Sequence, residues 1–451
     1  LEDLKYSEAD TMMVVGAFSA IGPLFAIAGG FIADKFLGAY RSLTLAFFTF
    51  GLGYTLLVIG ASAMNIALSL AGIALASYAR GLMAPSYPSL FKRTFDSQEH
   101  FENAFPVNYS INNLGALIGQ YLYPMFVLVI AFKGGFMLSA IMAVIAFLIL
   151  FFTRKPLTEI GFKIDQEPVS SKNWTIFSVL SLGMVGLVFF MFSNMDIGKN
   201  IVYAIGAAAI LYFISLMVKA PRSDALKMGT ILIMTVLTTA FFVYYGQMMT
   251  SMTMVTINTM RGDLFGIIPI APEAAMSMNP LWCMVAGPII ALAFSSLEKR
   301  NIHLSTATKV AFSFVLTAIA FGILTAAVRS IGSDVIIRPE IFLIIHGFQA
   351  FAEVIVGSMV VAFILSVAPK KIESFSVSLF SVSIALSGIV GAVFSTSIAL
   401  EKDQVITQEI VKNVYGGYFS MLTVWAVVMV GVALVASYGI KKMLAAGDKQ
   451  V

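Results

Sequence analysis

Cysteine is nearly missing from this sequence. The one cysteine in 451 residues, Cys283, lies inside an apolar run. That excludes a disulfide framework and leaves thiolate metal sites and cysteine catalysis without material. Charge is scarce as well. Only 12% of residues are charged and 59% are hydrophobic, against about a quarter and about half in soluble domains. The net charge of +4 is small and scattered, so no nucleic-acid partner is expected. Neither H-E-x-x-H nor G-x-G-D occurs, and no G-x-S-x-G comes with a suitable partner. An intramembrane enzyme is therefore not expected, and nothing asks for a cofactor or a metal.

What the chain has in excess is length that dissolves in lipid. Mean hydropathy is +0.92, and about 20 apolar residues cross a hydrocarbon core as helix. Thirteen such runs are read at 12–33, 42–62, 65–90, 104–130, 134–153, 174–193, 201–218, 228–250, 279–297, 308–328, 340–367, 375–398 and 415–440. Lipid leaves backbone groups no outside partner, so these are expected as helices. Their continuous hydrophobicity, without alternation, excludes a transmembrane barrel. The first run is long and lacks a small-residue cleavage site, so it is not a signal peptide.

Basic residues set the orientation. Nineteen fall on one side, among them Lys35, Arg41, Lys92, Arg93, Arg154, Lys299, Arg300, Lys370, Lys371, Lys441 and Lys449. Eight fall on the other: Lys5, Lys133, Lys199, Arg261, Arg329, Arg338, Lys402 and Lys412. The richer side is expected to be cytoplasmic, with the C-terminus on it and Leu1 outside. Leu1 to Asp10 reads as an outer loop entering a helix. A first spanning helix, absent from this sequence, is therefore expected ahead of it, making fourteen spans with both ends inside.

Two related halves are expected. Gly22-Pro23-Leu24-Phe25-Ala26-Ile27-Ala28 is echoed by Gly287-Pro288-Ile289-Ile290-Ala291-Leu292-Ala293, and each copy runs into a charged cytoplasmic turn. Duplicated bundles with the substrate between them are a common transporter plan. The polar stretch Arg154 to Asn173 reads as the linker, followed by two helices without a counterpart in the first half. The expected division is an N-terminal bundle at 1–153, the linker with two extra transmembrane helices at 154–227, and a C-terminal bundle at 228–451.

Gly30-Phe-Ile-Ala-Asp34-Lys35-Phe-Leu-Gly38-Ala-Tyr-Arg41 resembles the loop signature G-x-x-x-D-[RK]-x-x-G-x-x-R of the major facilitator superfamily. Glycines permit a tight turn between helix ends, and Asp34 can pair with a cation or cap a neighbouring helix. Gly30, Asp34, Lys35, Gly38 and Arg41 are thus the expected gating latch. Asn108-Tyr109-Ser-Ile-Asn112-Asn113-Leu-Gly115-Ala116-Leu117 resembles F-Y-x-x-I-N-x-G-S-L. Ser277-Met278-Asn279-Pro280-Leu281 resembles S-x-N-P-L. Glu353-Val-Ile-Val-Gly-Ser358 resembles E-L-x-x-S-P, and Ala368-Pro369-Lys370 an A-P-K that ends the same helix. In this order and spacing, along essentially the whole chain, they resemble the proton-dependent oligopeptide transporter family, in an atypical bacterial member.

That resemblance implies an all-α membrane protein with the major facilitator fold: two six-helix bundles plus two extra helices between them. It implies that Asn113, Asn279 and Glu353 hold the amino end of a peptide, with Tyr109 lining the same cavity. Glu353 stands out by itself, as the only acid left inside a span. A charge at mid-bilayer costs about 3 kcal/mol or more, so it is expected to face a cavity or a partner: a substrate or proton role is the reading taken, with a structural hydrogen bond to a neighbouring helix as the alternative. His346, Gln349 and Glu353 share one helical stripe. His346 either titrates beside the carboxylate or is satisfied by a neighbouring helix.

Two departures bear on mechanism. Gly81-Leu82-Met83-Ala84-Pro85 aligns with G-x-F-K-P, so a lysine that the family credits with the peptide carboxyl end is Ala84 here. Phe241 to Gln247 aligns with F-W-x-x-x-E-Q, so its acidic partner is Gly246. Losing both together is coherent, since one alone would strand a buried charge at about 3–5 kcal/mol. Arg80, one turn before Ala84 on the same face, either binds a carboxylate or pairs with Glu353, or snorkels to the cytoplasmic headgroups.

The expected function is proton-coupled symport of di- and tripeptides into the cytoplasm by alternating access, in a bacterial inner membrane and as a monomer. Glu353 and His346 would be the protonatable groups, and Glu353, Asn279, Asn113, Tyr109 and Arg80 the substrate contacts. The same fold with another amphiphilic cargo, and a non-transporting sensor, are the other readings.

Overall fold

The structure, a computed structural model, describes residues 7–96, 98–160, 163–369, 372–401 and 404–448. Residues 1–6, Lys370 of the A-P-K segment, and Lys371, Lys402 and Lys449 of the charge assignment lie outside the described residues.

The elements run α1 (Glu8–Ile32), a π turn (Ala33–Leu37), α2 (Ala39–Ser62), α3 (Ile66–Arg93) and α4 (Gln98–Phe152), then the short α5 (Arg154–Glu159) and α6 (Lys163–Gln166). They continue with α7 (Ser171–Ser193), α8 (Met195–Lys219), α9 (Arg222–Gly246), α10 (Ser251–Thr259), β1 (Asp263–Leu264), β2 (Ile268–Pro269), α11 (Met278–Lys299), α12 (Thr306–Arg329), α13 (Pro339–Val367), α14 (Glu373–Ser395), α15 (Gln408–Ile410) and α16 (Gly416–Asp448).

Twelve helical stretches among the described residues are long and apolar enough to cross a membrane. One of them, Val107–Phe152, is 46 residues long, twice what a bilayer needs. It breaks at Ala131, whose φ of 57° and ψ of 173° are not helical, between the expected runs 104–130 and 134–153. The thirteen runs therefore all fall on helix. Helix starts are written locally: Ser7 and Asp10 form a capping box on α1, and Asn65, Ser170 and Ser305 cap α3, α7 and α12.

The chain divides into two compact units, residues 1–108 with 126–204, and residues 109–125 with 205–451. In the first unit α3 packs against α1, α2 and α7. Its core gathers Ile32, Leu37, Tyr78 and Leu82. A Cβ added to Gly29 would lie 2.1 Å from the Gly81 carbonyl oxygen, so α1 and α3 touch backbone to backbone, the small-residue packing that lipid favours. The loop after α1 turns at Gly38, with φ of 84°. There the buried Asp165 of α6 accepts the Tyr40 N–H at 3.0 Å and pairs with Arg93 at 2.9 Å.

In the second unit α12 packs on α13 and α16, α14 on α9, and α11 on α13. Interhelix hydrogen bonds supplement apolar packing: the Trp282 indole to the Leu343 carbonyl at 2.9 Å, Ser383 to the Thr235 carbonyl at 3.1 Å, and Thr325 with Thr423 at 3.0 Å. The hairpin β1–β2 departs from the all-helical expectation. It pairs Asp263 with Pro269 and Leu264 with Ile268, too few residues to show an alternating pattern. Glu340 fastens it through the Phe265 N–H at 2.6 Å, as does Tyr121 through the Pro269 carbonyl at 2.6 Å.

Gly38→Ala is expected to lower the thermal midpoint of the detergent-solubilised protein. The Gly38 φ of 84° with ψ of 162° is essentially a glycine-only conformation, costing about 1–3 kcal/mol in another residue, and the new methyl would sit 2.2 Å from an Asp165 carboxylate oxygen. An unchanged midpoint would show that this loop does not need its glycine.

Candidate functional site

Glu353 lies near the middle of α13, a helix that needs 29 residues and carries no other acid beyond its first turn. Its carboxylate is half-buried in the second unit and held by neutral donors from two neighbouring helices. The Tyr245 hydroxyl, in the last turn of α9, donates to Oε1 at 3.2 Å. The Asn279 amide, in the first turn of α11, donates to Oε2 at 3.1 Å. Cys283, one turn further along α11, lies with its Sγ 3.4 Å from Oε2 and 3.6 Å from Asn279 Oδ1. Asn279 sits there because α11 starts at Met278, so Pro280 falls in the first turn, where a missing N–H costs nothing.

Tyr109 and Asn113 belong to the same unit. The Asn113 amide donates to the Tyr109 carbonyl at 3.0 Å, one turn back along α4. The Tyr109 hydroxyl interacts with the Asn113 and Cys283 side chains and feels the charge of Glu353. Tyr109, Asn113, Asn279 and Glu353 thus stand as one group, with Cys283 and Tyr245 in it. Among the described hydrogen bonds and ion pairs, no lysine or arginine reaches the carboxylate.

His346 is on the same helix and only 1% exposed, and its Nδ1 has no hydrogen-bond partner among the described residues. Gln349, between His346 and Glu353, turns its amide to the Met252 sulfur at 3.1 Å. The stripe seen in the sequence is real as a helix face, but no described hydrogen bond joins His346 to the carboxylate.

Arg80 belongs to the first unit. Its guanidinium stands over the Phe18 ring, 4.7 Å from the centroid, and Nη1 lies 3.4 Å from the Phe18 carbonyl. It also packs near Gly22, where an added Cβ would meet Cζ at an ordinary contact distance of 3.4 Å. Phe18 and Gly22 are in the middle of α1, so the side chain does not extend toward the Lys92–Arg93 end of α3. No carboxylate contacts it among the described residues.

The loop latch differs from expectation. Asp34 and Lys35 are exposed on the π turn, and Asp34 pairs with no cation among the described residues. The carboxylate seated in this loop is Asp165, which caps the start of α2 through the Tyr40 N–H and neutralises Arg93. Arg41 donates to the carbonyls of Ile164 at 2.8 Å and Glu167 at 2.7 Å. Gly30 faces Pro85 with room for a methyl group, whereas Gly38 makes space for Asp165. Three participants went unnoticed in the sequence. Asp165 is 125 residues from Tyr40, beyond any local signal. Cys283 read as one more apolar residue, although its place four after Asn279 puts it on the same face. Tyr245 was only the residue before Gly246.

Known proteins resemble the chain throughout. The dipeptide and tripeptide permease B of Xenorhabdus bovienii (strain SS-2004) is 25% identical over 440 residues, covering 95% of this chain and 88% of the permease. A solved bacterial homologue of the human drug peptide transporters PepT1 and PepT2 superposes with a TM-score of 0.84 at 22% identity, covering 98% of this chain and 93% of that one. The tetrameric PepTSo2 gives 0.85 at 22% identity, over 97% and 92%. The last two establish the transporter fold, and the relatives are permeases, not enzymes. The sequence model of the POT family matches residues 36–411, and this chain is a member of that family.

Proposed function

We propose that this chain is a secondary active transporter that carries di- and tripeptides into the cytoplasm together with protons, by alternating access. One observation carries the reading. The single acid deep in a span, Glu353, is surrounded by hydroxyl, amide and thiol donors, with no cation of the protein in contact among the described residues. An ionised carboxylate at membrane depth costs about 3 kcal/mol or more. A ligand ammonium group or a proton removes that cost, so peptide binding and protonation are linked through one carboxylate. Carrying both in the same direction asks that both be held at once: the ammonium by the Asn279 and Asn113 carbonyl oxygens while Glu353 carries the proton, or the proton by His346 while Glu353 holds the ammonium.

In this reading Glu353, Asn279, Asn113 and Tyr109 receive the amino end, the Asn amides supplying carbonyl oxygens to the ammonium N–H groups. Arg80 takes the substrate carboxylate, since Ala84 and Gly246 leave no other charge at the aligned positions. Its guanidinium is largely buried and meets no carboxylate among the described residues, which makes an anion bound there strongly attracted. Glu353 takes up the proton, and His346 assists as a second protonatable group. Gly30, Asp34, Lys35, Gly38 and Arg41 serve the gate. The naming of the relatives as dipeptide and tripeptide permeases favours peptides over other amphiphiles. The basic-residue asymmetry supports a cytoplasmic C-terminus in a bacterial inner membrane, and the protein is taken to act as a monomer with bundles at 1–153 and 228–451.

Reconstituted in liposomes, the protein should accumulate labelled dipeptide when the outside is made acidic. Glu353→Gln should lose gradient-driven accumulation by at least about tenfold, a free-energy change of about 1.4 kcal/mol. Failure of the native protein to move any dipeptide under any gradient would end the peptide reading. Arg80→Ala should weaken binding of a dipeptide about tenfold or more and leave its C-terminal amide unaffected. Equal effects on both ligands would remove Arg80 from the substrate site.

A further inference from the structure

The grip on Glu353 is divided oxygen by oxygen. Oε1 is held from α9 by Tyr245, and Oε2 from α11 by Asn279 and Cys283. Asn279 already has a place in the substrate reading, whereas Tyr245 and Cys283 do not. Tyr245 also has an unusually firm base. Two residues on, the buried Gln247 is saturated with hydrogen bonds. Its Oε1 accepts from Ser251 at 2.6 Å, Ser395 at 2.9 Å and Tyr418 at 2.6 Å. Its Nε2 donates to the carbonyls of Val243 at 3.0 Å and Gly391 at 3.3 Å. A fully satisfied buried network of this kind rigidifies what it touches. It fastens the end of α9 to α14 and α16. Gly246, between Tyr245 and Gln247, has nothing within 4 Å of where its Cβ would be, so side-chain packing at that residue adds no further restraint.

We propose that Tyr245 is a positioning residue for the Glu353 carboxylate through Oε1, with Cys283 its counterpart at Oε2. The reading given above is needed only for what the carboxylate binds. Both donors are neutral, and that is the point of using them. A lysine or arginine in either place would neutralise Glu353 permanently and compete with any incoming ammonium group or proton. A phenol and a thiol fix the orientation and favour the charged form without supplying a counter-charge. The titratable groups facing Glu353 are Tyr245 from α9, Cys283 from α11 and Tyr109 from α4. His346 lies two turns back on α13 itself.

Infrared difference spectra of the protein in bilayers, titrated with acid and no substrate present, read the protonated carboxyl band, which Glu353→Gln identifies by removing it. In Tyr245→Phe the midpoint of that band should move to higher pH by about one unit, because a donor to the charged form is gone. Cys283→Ala should move it the same way by less, a thiol being a weak donor. An unchanged midpoint in both variants, or no band sensitive to Glu353→Gln at any pH, overturns the proposal. In dipeptide uptake, Tyr245→Phe should raise KM about tenfold with little change in kcat and add nothing in a Glu353→Gln background. Additive losses would mean that Tyr245 acts elsewhere. Because the spectra need no substrate, absence of dipeptide transport by the native protein would defeat the transport reading and leave the infrared result to stand or fall separately.

Discussion

Hydrocarbon offers neither water nor counterions, so each charge placed at membrane depth must be given its own environment. At Glu353 that environment is three neutral donors on two helices, each polar contact crossing between elements. The arrangement lowers the cost of ionisation without abolishing it. A fully neutralised acid would have no reason to bind a proton or a cation from solution, and a bare one would stay protonated.

Other internal charges in the chain are settled differently, and the contrast is informative. Asp165 is wholly buried but paired with Arg93 and capped by a backbone N–H, a closed arrangement with nothing left to bind. Arg80 has an aromatic face and a carbonyl in place of a carboxylate. Cation–π contact of this kind is worth about 0.5–2 kcal/mol, enough to hold the side chain while leaving its charge attractive to an anion. Asp165 is a closed charge, whereas Glu353 and Arg80 meet no charge of opposite sign among the described residues.

How much of this was readable beforehand follows from the range of each signal. Hydropathy acts residue by residue, so the spans were plain, and even the break inside the longest helix was marked by Lys133 and Gly134 just after Ala131. Glu353 was legible because an acid in an apolar run is conspicuous against its neighbours, and Asn279 through the resemblance of Ser277 to Leu281 to a family motif. Cys283 was not, since a thiol hides among hydrophobic residues, and neither was Tyr245, since only the fold turns its hydroxyl toward α13. The motif around Gly38 marks the loop that bends, and the carboxylate seated in that loop is Asp165. A turn signature records which backbone bends, and says nothing of a side chain arriving from 125 residues away. The β hairpin escaped for want of length.

The seating of Asp165 in that loop gives the polar stretch after residue 153 a structural duty. It is commonly natural to treat such a connection as a tether whose length and composition are free. Here Ile164, Asp165 and Glu167 are part of the neighbouring helices' foundation, since Asp165 supplies the carboxylate at Tyr40 and the carbonyls of Ile164 and Glu167 hold Arg41. Anyone dividing the polypeptide into two separately expressed fragments, or inserting a reporter between them, has to cut downstream of Glu167. A junction placed nearer Arg154 would carry away the carboxylate and carbonyls that brace Tyr40 and Arg41.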